Sequence, residues 1–288
     1  MPPLIVIVGE TASGKSALAM ELAEKFGGEL ICADSWTVYK GFDVGTAKPS
    51  ASDRARVSHH LLDVADPAEG FSAVAFQRQA RQAMADITAR GKLPIMVGGT
   101  GLYIDSVLYD YGFLPPSDQL LRAELNDLSL EQVLDRAAEL GLDTTGIDLG
   151  NKRRVIRLIE NNGARPTKGS LRPNTLLLGV SLPREQLQAR VSARVDAMLA
   201  AGLQDEVRRL AERYGWEAEP MKGIGYREWQ LCFAGEQTLP ETRERIIKVT
   251  MDLAKRQRTW FKRNNGIQWV PDRSNAVDIA TTFLNKSV

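Results

Sequence analysis

Leu4-Ile-Val-Ile-Val-Gly9-Glu-Thr-Ala-Ser-Gly14-Lys15-Ser16 stands at the head of the chain, and its reading decides the fold. Leu4 to Val8 is a short β-branched run without polar alternation, the pattern of a strand buried on both faces of a parallel sheet. Directly after it, Gly9 to Ser16 matches G-x-x-x-x-G-K-[ST], the phosphate-binding (P-loop) pattern, in the strand-to-helix setting that makes the match specific. The spacing of Leu18, Leu22 and Phe26 predicts a helix over 16–26 with one apolar stripe, stopped by Gly27-Gly28. Glu29-Leu-Ile-Cys-Ala33 follows as a second strand closing at Asp34-Ser35, so the segment reads as a βαβ unit whose two strands are neighbours, and the fold as α/β.

Outward from this unit, Ala73 to Arg90 reads as a long helix carrying Phe76, Ala80, Met84 and Ile87, and Leu93-Pro-Ile-Met-Val97 as a third strand. That strand opens into Gly98-Gly-Thr-Gly101, a second glycine-rich turn where a ligand can sit. Beyond Pro115-Pro116 the composition shifts to Leu, Glu, Ala and Arg, and helical periodicity continues through Lys152 to Asn161. A fourth strand is predicted at 175–180, then helices over 184–213 and 239–263. The expectation is an α/β protein with a P-loop type parallel-sheet core flanked by helices, comprising 1–115 and 176–288, and a helical insertion domain over 116–175.

The 288 residues hold 37 Lys+Arg against 36 Asp+Glu, a formal net charge of +1, with 43% hydrophobic residues; a disordered, fibrous or uniformly basic chain is excluded. Local basic faces are hidden by that mean. Cys32 and Cys232 are the only cysteines and have no His pair nearby, which argues against a disulfide framework or a zinc site and for a reducing, cytoplasmic setting. The Leu4 to Val8 run is too short for a signal peptide or a membrane span, so no membrane association is expected.

In the loop, Gly9, Glu10, Thr11, Ala12, Ser13 and Gly14 can offer backbone N–H groups to an anion. The helix N-terminus adds about half a positive charge, Lys15 reaches phosphoryl oxygens, and the Ser16 hydroxyl can ligate Mg²⁺. Such a cradle serves kinases, hydrolases and enzymes that displace diphosphate alike. Asp34, at a strand end on the ligand-binding edge of the sheet, is a candidate general base or metal ligand, or the cap of the turn at Ser35. The strand at 93–97 ends in Gly98-Gly99 without the acid a nucleotide hydrolase uses, whereas Thr100 and its glycines offer neutral donors suited to a diphosphate leaving group. His59 and His60 diverge in direction and have no other His or Cys nearby, which favours a structural role. Glu241 to Arg263 carries a net charge of +5, its cations including Arg243, Arg245, Lys248, Lys255, Arg256 and Arg258. With Lys152-Arg153-Arg154 and Arg157, it reads as either a solvated surface or a face that tracks a nucleic-acid backbone.

These blocks resemble the tRNA dimethylallyltransferases, P-loop isopentenyl transferases that modify tRNA. The resemblance covers nearly the whole length: GETASGKS, ADSWTVYKGFDVGTAKP, HHLLDVADP, FSAVAFQR, VGGTGLY, NKRRVIRLIE, RVDAMLAAGLQDEV, KGIGYREW and AKRQRTWFKR stand in the family's order. It implies a bacterial-type enzyme that moves a dimethylallyl group from dimethylallyl diphosphate to N6 of adenosine 37 in a tRNA anticodon stem-loop, releasing diphosphate, with Mg²⁺ as cofactor. It implies that Asp34 accepts the N6 proton, that Thr11 and Lys15 act on the departing diphosphate, and that Gly9 to Ser16 with Thr100, Lys222 and Arg227 hold it. The adenine must leave its stack to react. The tRNA contacts fall to Asp34, Ser35, Thr37, Lys152, Arg153, Arg154, Arg157, Arg243, Arg245, Lys248, Lys255, Arg256 and Arg258, and a monomer is expected. Glu10 and Trp36-Thr37 depart from the family's usual residues, the first putting a carboxylate beside an anion loop. The rival readings are an adenylate isopentenyltransferase, a P-loop kinase of a small metabolite and a nucleic-acid-binding P-loop protein without chemistry.

Overall fold

The computed structural model describes residues 1–115 and 118–286, so the expected start of the insertion at Pro116 lies outside the described residues. In chain order the elements are β1 (Leu4–Gly9), α1 (Lys15–Phe26), β2 (Gly28–Ala33), α2 (Ala51–Arg56), β3 (His59–His60), α3 (Ala73–Ala89), β4 (Leu93–Gly98), α4 (Gly101–Leu108), α5 (Gln119–Asp127), α6 (Leu130–Glu139) and α7 (Lys152–Glu160). They continue with β5 (Thr175–Val180), α8 (Arg184–Ala200), α9 (Leu203–Tyr214), α10 (Trp229–Phe233), α11 (Leu239–Phe261), β6 (Gln268–Val270) and α12 (Arg273–Asn285).

The six strands form one all-parallel sheet in the order β3-β2-β4-β1-β5-β6. This order corrects the expectation that β1 and β2 are neighbours: β4 lies between them, pairing Ile5 with Ile95 on one side and Ile31 with Met96 on the other. The chain therefore runs from β1 to one side of the sheet through β2, β3 and β4, then crosses to the other side with β5 and β6. The C-terminal end of β1 stands at that reversal, where α/β sheets open a ligand crevice. The predicted helix over 184–213 is divided at Ala201-Gly202, where Gly202 takes φ 91°. β3 and β6, two and three residues long, are too short to leave a periodic signal.

Alternation along β1 supplies both faces of the sheet. Ile5 and Ile7 join Leu18 and Leu22 of α1, Ile95 and Val97 of β4, and Ala276 and Ala280 of α12 in one core. A second core gathers Val38, Tyr39 and Phe42, just beyond β2, with Val191 and Val195 of α8, Val207 and Leu210 of α9, and Ile246 and Ala254 of α11.

The chain divides into two compact units, residues 1–107 with 172–288, and residues 108–171. The second has its own core, built from Leu125 of α5, Val133 and Ala137 of α6, and Val155, Ile156 and Ile159 of α7. No helix among the described residues is long and apolar enough to cross a membrane.

Candidate active site

A cavity of about 630 Å³ opens at the C-terminal ends of β1, β2 and β4, and Thr11, Lys15, Ser16, Asp34, Thr37 and Arg194 are among its walls. The loop after β1 is shaped for an anion: Ala12 (φ 61°) and Gly14 (φ 99°) take left-handed backbone, a conformation that gathers successive amides into a concave nest. Gly9 is required by space, because a Cβ there would lie 2.3 Å from the carbonyl oxygen of Val180 in β5. Lys15 Nζ donates to the Glu10 carbonyl at 3.1 Å. Burial, and then the neighbouring Arg194 charge, pull the Lys15 ammonium down to about 8, against the opposing pull of Asp34 and Glu10.

Asp34 fills one of the roles open to it from sequence, the cap of the turn at Ser35. Its Oδ1 accepts the amides of Trp36 at 2.9 Å and Thr37 at 3.3 Å, an Asx turn that fixes the carboxylate. No described residue hydrogen-bonds its Oδ2, and the side chain faces the cavity. Beside it, the buried Thr37 hydroxyl has no partner, an arrangement that leaves a buried polar atom for a ligand. The Cys32 thiol, also on the cavity wall, is pushed up to about 12 by burial and then by Asp34, so it stays protonated.

The turn after β4 lies between the P-loop and Asp34. Thr100 Oγ1 accepts the Ser35 amide at 3.1 Å, and the Thr100 amide donates to the Ala33 carbonyl at 3.2 Å, so these two residues fasten the turn to the end of β2 and are not among the cavity walls. Lys222 and Arg227 are also not among them: Lys222 is exposed with its ammonium 3.6 Å from Glu217, and Arg227 donates to Glu228 at 2.7 Å. Glu10 is 1% exposed, ion-paired with Arg258 and accepting from Ser181 Oγ at 3.3 Å. The unusual loop carboxylate is thus neutralised within the protein.

Several cations expected to meet tRNA have internal partners. Arg258 also donates to the Leu182 carbonyl at 2.8 Å. Arg243 forks onto Asp196, with N···O distances of 2.6 and 2.8 Å. Arg157 donates to Glu160 at 3.2 Å, and the Lys152 ammonium donates to the Asn126 and Leu128 carbonyls at the end of α5. Arg153 and Arg154 on α7, and Arg245, Lys248, Lys255 and Arg256 on α11, are exposed. The two histidines make internal hydrogen bonds, His59 Nδ1 meeting the Val57 carbonyl and His60 Nε2 the Glu29 carboxylate, both at 2.7 Å, and His59 also lines the cavity.

Three residues that shape the site were not singled out from sequence. Gln257 accepts the Thr11 amide through Oε1 at 2.8 Å and donates from Nε2 to the Gly99 carbonyl at 3.1 Å, bracketing both glycine-rich turns. Lys48 closes the rim, bonded to Asp43 at 2.8 Å and Asp63 at 2.5 Å. Arg194 enters the cavity from α8. Gln257 and Arg194 lie in AKRQR and RVDAML, recognisable blocks in which single residues gave no signal of direction. Among the described residues no cluster of three or more His, Cys, Asp or Glu side chains is placed to hold a metal ion.

The IPP transferase family model matches residues 37–264. A tRNA dimethylallyltransferase of Roseiflexus sp. (strain RS-1) is 42% identical, with 99% of each chain covered. Among solved structures, a tRNA delta(2)-isopentenylpyrophosphate transferase of Staphylococcus epidermidis is similar at TM-score 0.75 and 36% identity, with both chains covered in full. A eukaryotic dimethylallyltransferase acting on tRNA is similar at TM-score 0.82 and 27% identity, over 99% of this chain and 79% of that one.

Proposed function

The chain belongs to the IPP transferase family, and from that premise we propose that it transfers a dimethylallyl group from dimethylallyl diphosphate to N6 of adenosine 37 in a tRNA anticodon stem-loop, releasing diphosphate. The observation that carries the reading is the meeting of Lys15, Ser16 and Asp34 on one cavity, with the Thr37 hydroxyl unpartnered beside them.

The chemistry follows from what each group can do. As the allylic C1–O bond breaks, negative charge grows on the departing diphosphate, and Lys15 stabilises it with those loop amides that are not, like Thr11 and Ser13, already bonded within the protein. The adenine N6 lone pair is delocalised into the ring, so N6 attacks C1 well only if its proton is taken as the C1–N6 bond forms. Asp34 Oδ2 accepts that proton. Oδ1, already tied to two amides, keeps the carboxylate in place. Thr11 contributes its place in the bracketed loop, held by Gln257.

Mg²⁺ fits this site through an exposed Ser16 hydroxyl on the same cavity as Lys15, since the ion keeps several waters and takes most other ligands from substrate phosphates. When bound, it supplies further charge stabilisation to the leaving diphosphate. The tRNA lies against exposed Arg153, Arg154, Arg245, Lys248, Lys255 and Arg256, through phosphate contacts that position without reading sequence.

The test is incorporation of label from dimethylallyl diphosphate with Mg²⁺ into an anticodon stem-loop with adenosine at 37, the same stem-loop with guanosine there, and free AMP. Label in the adenosine stem-loop alone is expected. Label in AMP would move the acceptor to a free nucleotide, and no label from folded protein would overturn the reading.

A further inference from the structure

We propose that Arg258 is a positioning residue for donor binding: by neutralising the Glu10 carboxylate and holding it outside the cavity, it sets the local charge that the diphosphate meets; this rests on the donor assignment above. Neither Glu10 nor Arg258 is among the cavity walls. They act from behind the loop, across 248 positions of sequence.

Glu10 is the hub of the loop. Its carbonyl accepts the Ser13 amide at 3.2 Å and the Lys15 ammonium at 3.1 Å, so the turn of the loop and the resting place of its cation both depend on where Glu10 stands. Its side chain is gripped from the other direction. Oε1 accepts from Ser181 Oγ, just beyond β5, at 3.3 Å and pairs with Arg258 Nε, while Arg258 Nη2 donates to the Leu182 carbonyl at 2.8 Å. The preceding residue of α11, Gln257, accepts the Thr11 amide at 2.8 Å, so two consecutive helix residues hold two consecutive loop residues. Ala12, next in the loop, takes left-handed backbone at φ 61°, a conformation that a non-glycine keeps only where its surroundings fix it.

A carboxylate that is 1% exposed needs a counter-charge, and among the described residues Arg258 is its only ion-pair partner. Nor is there a reserve of hydrogen bonds, since Glu10 Oε2 has no partner among the described residues. The Glu10 charge reaches the site: burial and then Arg194 lower the Lys15 ammonium, whereas Asp34 and then Glu10 raise it. Without Arg258 that negative charge stands unbalanced in a water-poor wall beside the loop amides and opposes an incoming anion. The pair contributes no net charge in the wild type. Glu10→Gln leaves the cation in excess, Arg258→Leu leaves the anion in excess, and the double variant restores neutrality.

The experiment compares wild type, Glu10→Gln, Arg258→Leu and the double variant by thermal unfolding and by calorimetric titration with inorganic diphosphate and Mg²⁺. Donor KM and kcat are measured alongside, in prenyl transfer to the adenosine stem-loop. Affinity is expected to follow the local charge. Arg258→Leu weakens the Kd for inorganic diphosphate about tenfold or more, Glu10→Gln tightens it, and the double variant returns to within about threefold of wild type. The loss in Arg258→Leu falls on the KM for dimethylallyl diphosphate more than on kcat, with tRNA affinity unchanged. A pair that only braces the fold gives weaker binding in both single variants, in step with their Tm, and no recovery in the double variant. That pattern overturns the proposal, as does wild-type diphosphate affinity in Arg258→Leu, or a loss of tRNA affinity in its place. If Arg258→Leu does not fold, Glu10→Gln decides: diphosphate affinity equal to or weaker than wild type overturns it. Failure of wild type itself to bind inorganic diphosphate or dimethylallyl diphosphate removes the donor assignment and this proposal together, an outcome distinct from binding that is indifferent to the pair.

Discussion

A carboxylate that accepts two backbone amides through one oxygen can serve as a base with the other without swinging away, and Asp34 is built in this way. Asp34→Asn keeps the amide-accepting oxygen and loses the base. Turnover is expected to fall about 10²- to 10⁴-fold with tRNA affinity changed less than a few-fold, measured by single-turnover prenyl transfer beside filter binding. Lys15 yields a pH dependence. With Arg194 on α8 pushing its pKa down, and Asp34 after β2 and Glu10 in the loop pulling it up, its ammonium loses its proton near pH 8 in the free protein. Affinity for inorganic diphosphate is therefore expected to lose the Lys15 contribution above about pH 8, so that the wild-type advantage over Lys15→Met, which shares the ligand's own titration, shrinks there, as titration of both at several pH values will report. The unfolded chain holds that proton to about 10.5, so between these values it binds more protons than the folded one, and ligand-free stability contributed by Lys15 rises with pH. At this scale the sequence names Lys15, Ser16 and Asp34 because spacing and strand ends mark them. It is silent on Glu10 with Arg258, a pair 248 positions apart that only folding brings together.

α11 shows what periodicity can and cannot say about an element. Its helical extent and half of its six buried residues, Ile247, Ala254 and Phe261, follow from the apolar spacing, whereas Met251 of the same stripe is only half-buried. Which cations face solvent does not, because Arg243 and Arg258 sit where the two faces meet and their long stems reach inward to Asp196 and Glu10. On the proposed function, the outward Lys255 and Arg256 are the ones left exposed to meet RNA. Replacing both by alanine is expected to weaken tRNA binding about equally for different tRNAs and to reduce the log Kd against log salt slope by about 1 per lost phosphate contact. Lys152→Ala is expected to behave oppositely. Its ammonium caps the last carbonyls of α5, so the cost is about 1 kcal/mol of stability in denaturant melts with the salt slope kept.

Across the whole molecule, four of the six strands are legible as apolar runs ending in glycine, acid or turn signals, while their order is not. Nothing in Leu93 to Val97 says that it slides between β1 and β2; that placement depends on which helices fill which face of the sheet. The two units also differ in depth of core. The sheet unit buries β1, β4 and β5 under helices, whereas unit 108–171 rests on a small cluster around Val133 and Val155. Amide hydrogen exchange is expected to open α5, α6 and α7 at a lower free energy than β1 and β4, and equal protection would show the two units to be one cooperative body.

The position of β5 carries a consequence in time. β1 is synthesised before both of its sheet neighbours, and the strand that covers its second edge is made only after residue 174, an interval on the order of ten seconds at ordinary elongation rates. Until β4 is made both edges of that apolar strand are open, and from then until β5 is made one edge still is. Gly9 must finally press against Val180, at the far end of that late strand. The phosphate loop is thus synthesised well before the strand against which it takes its working shape.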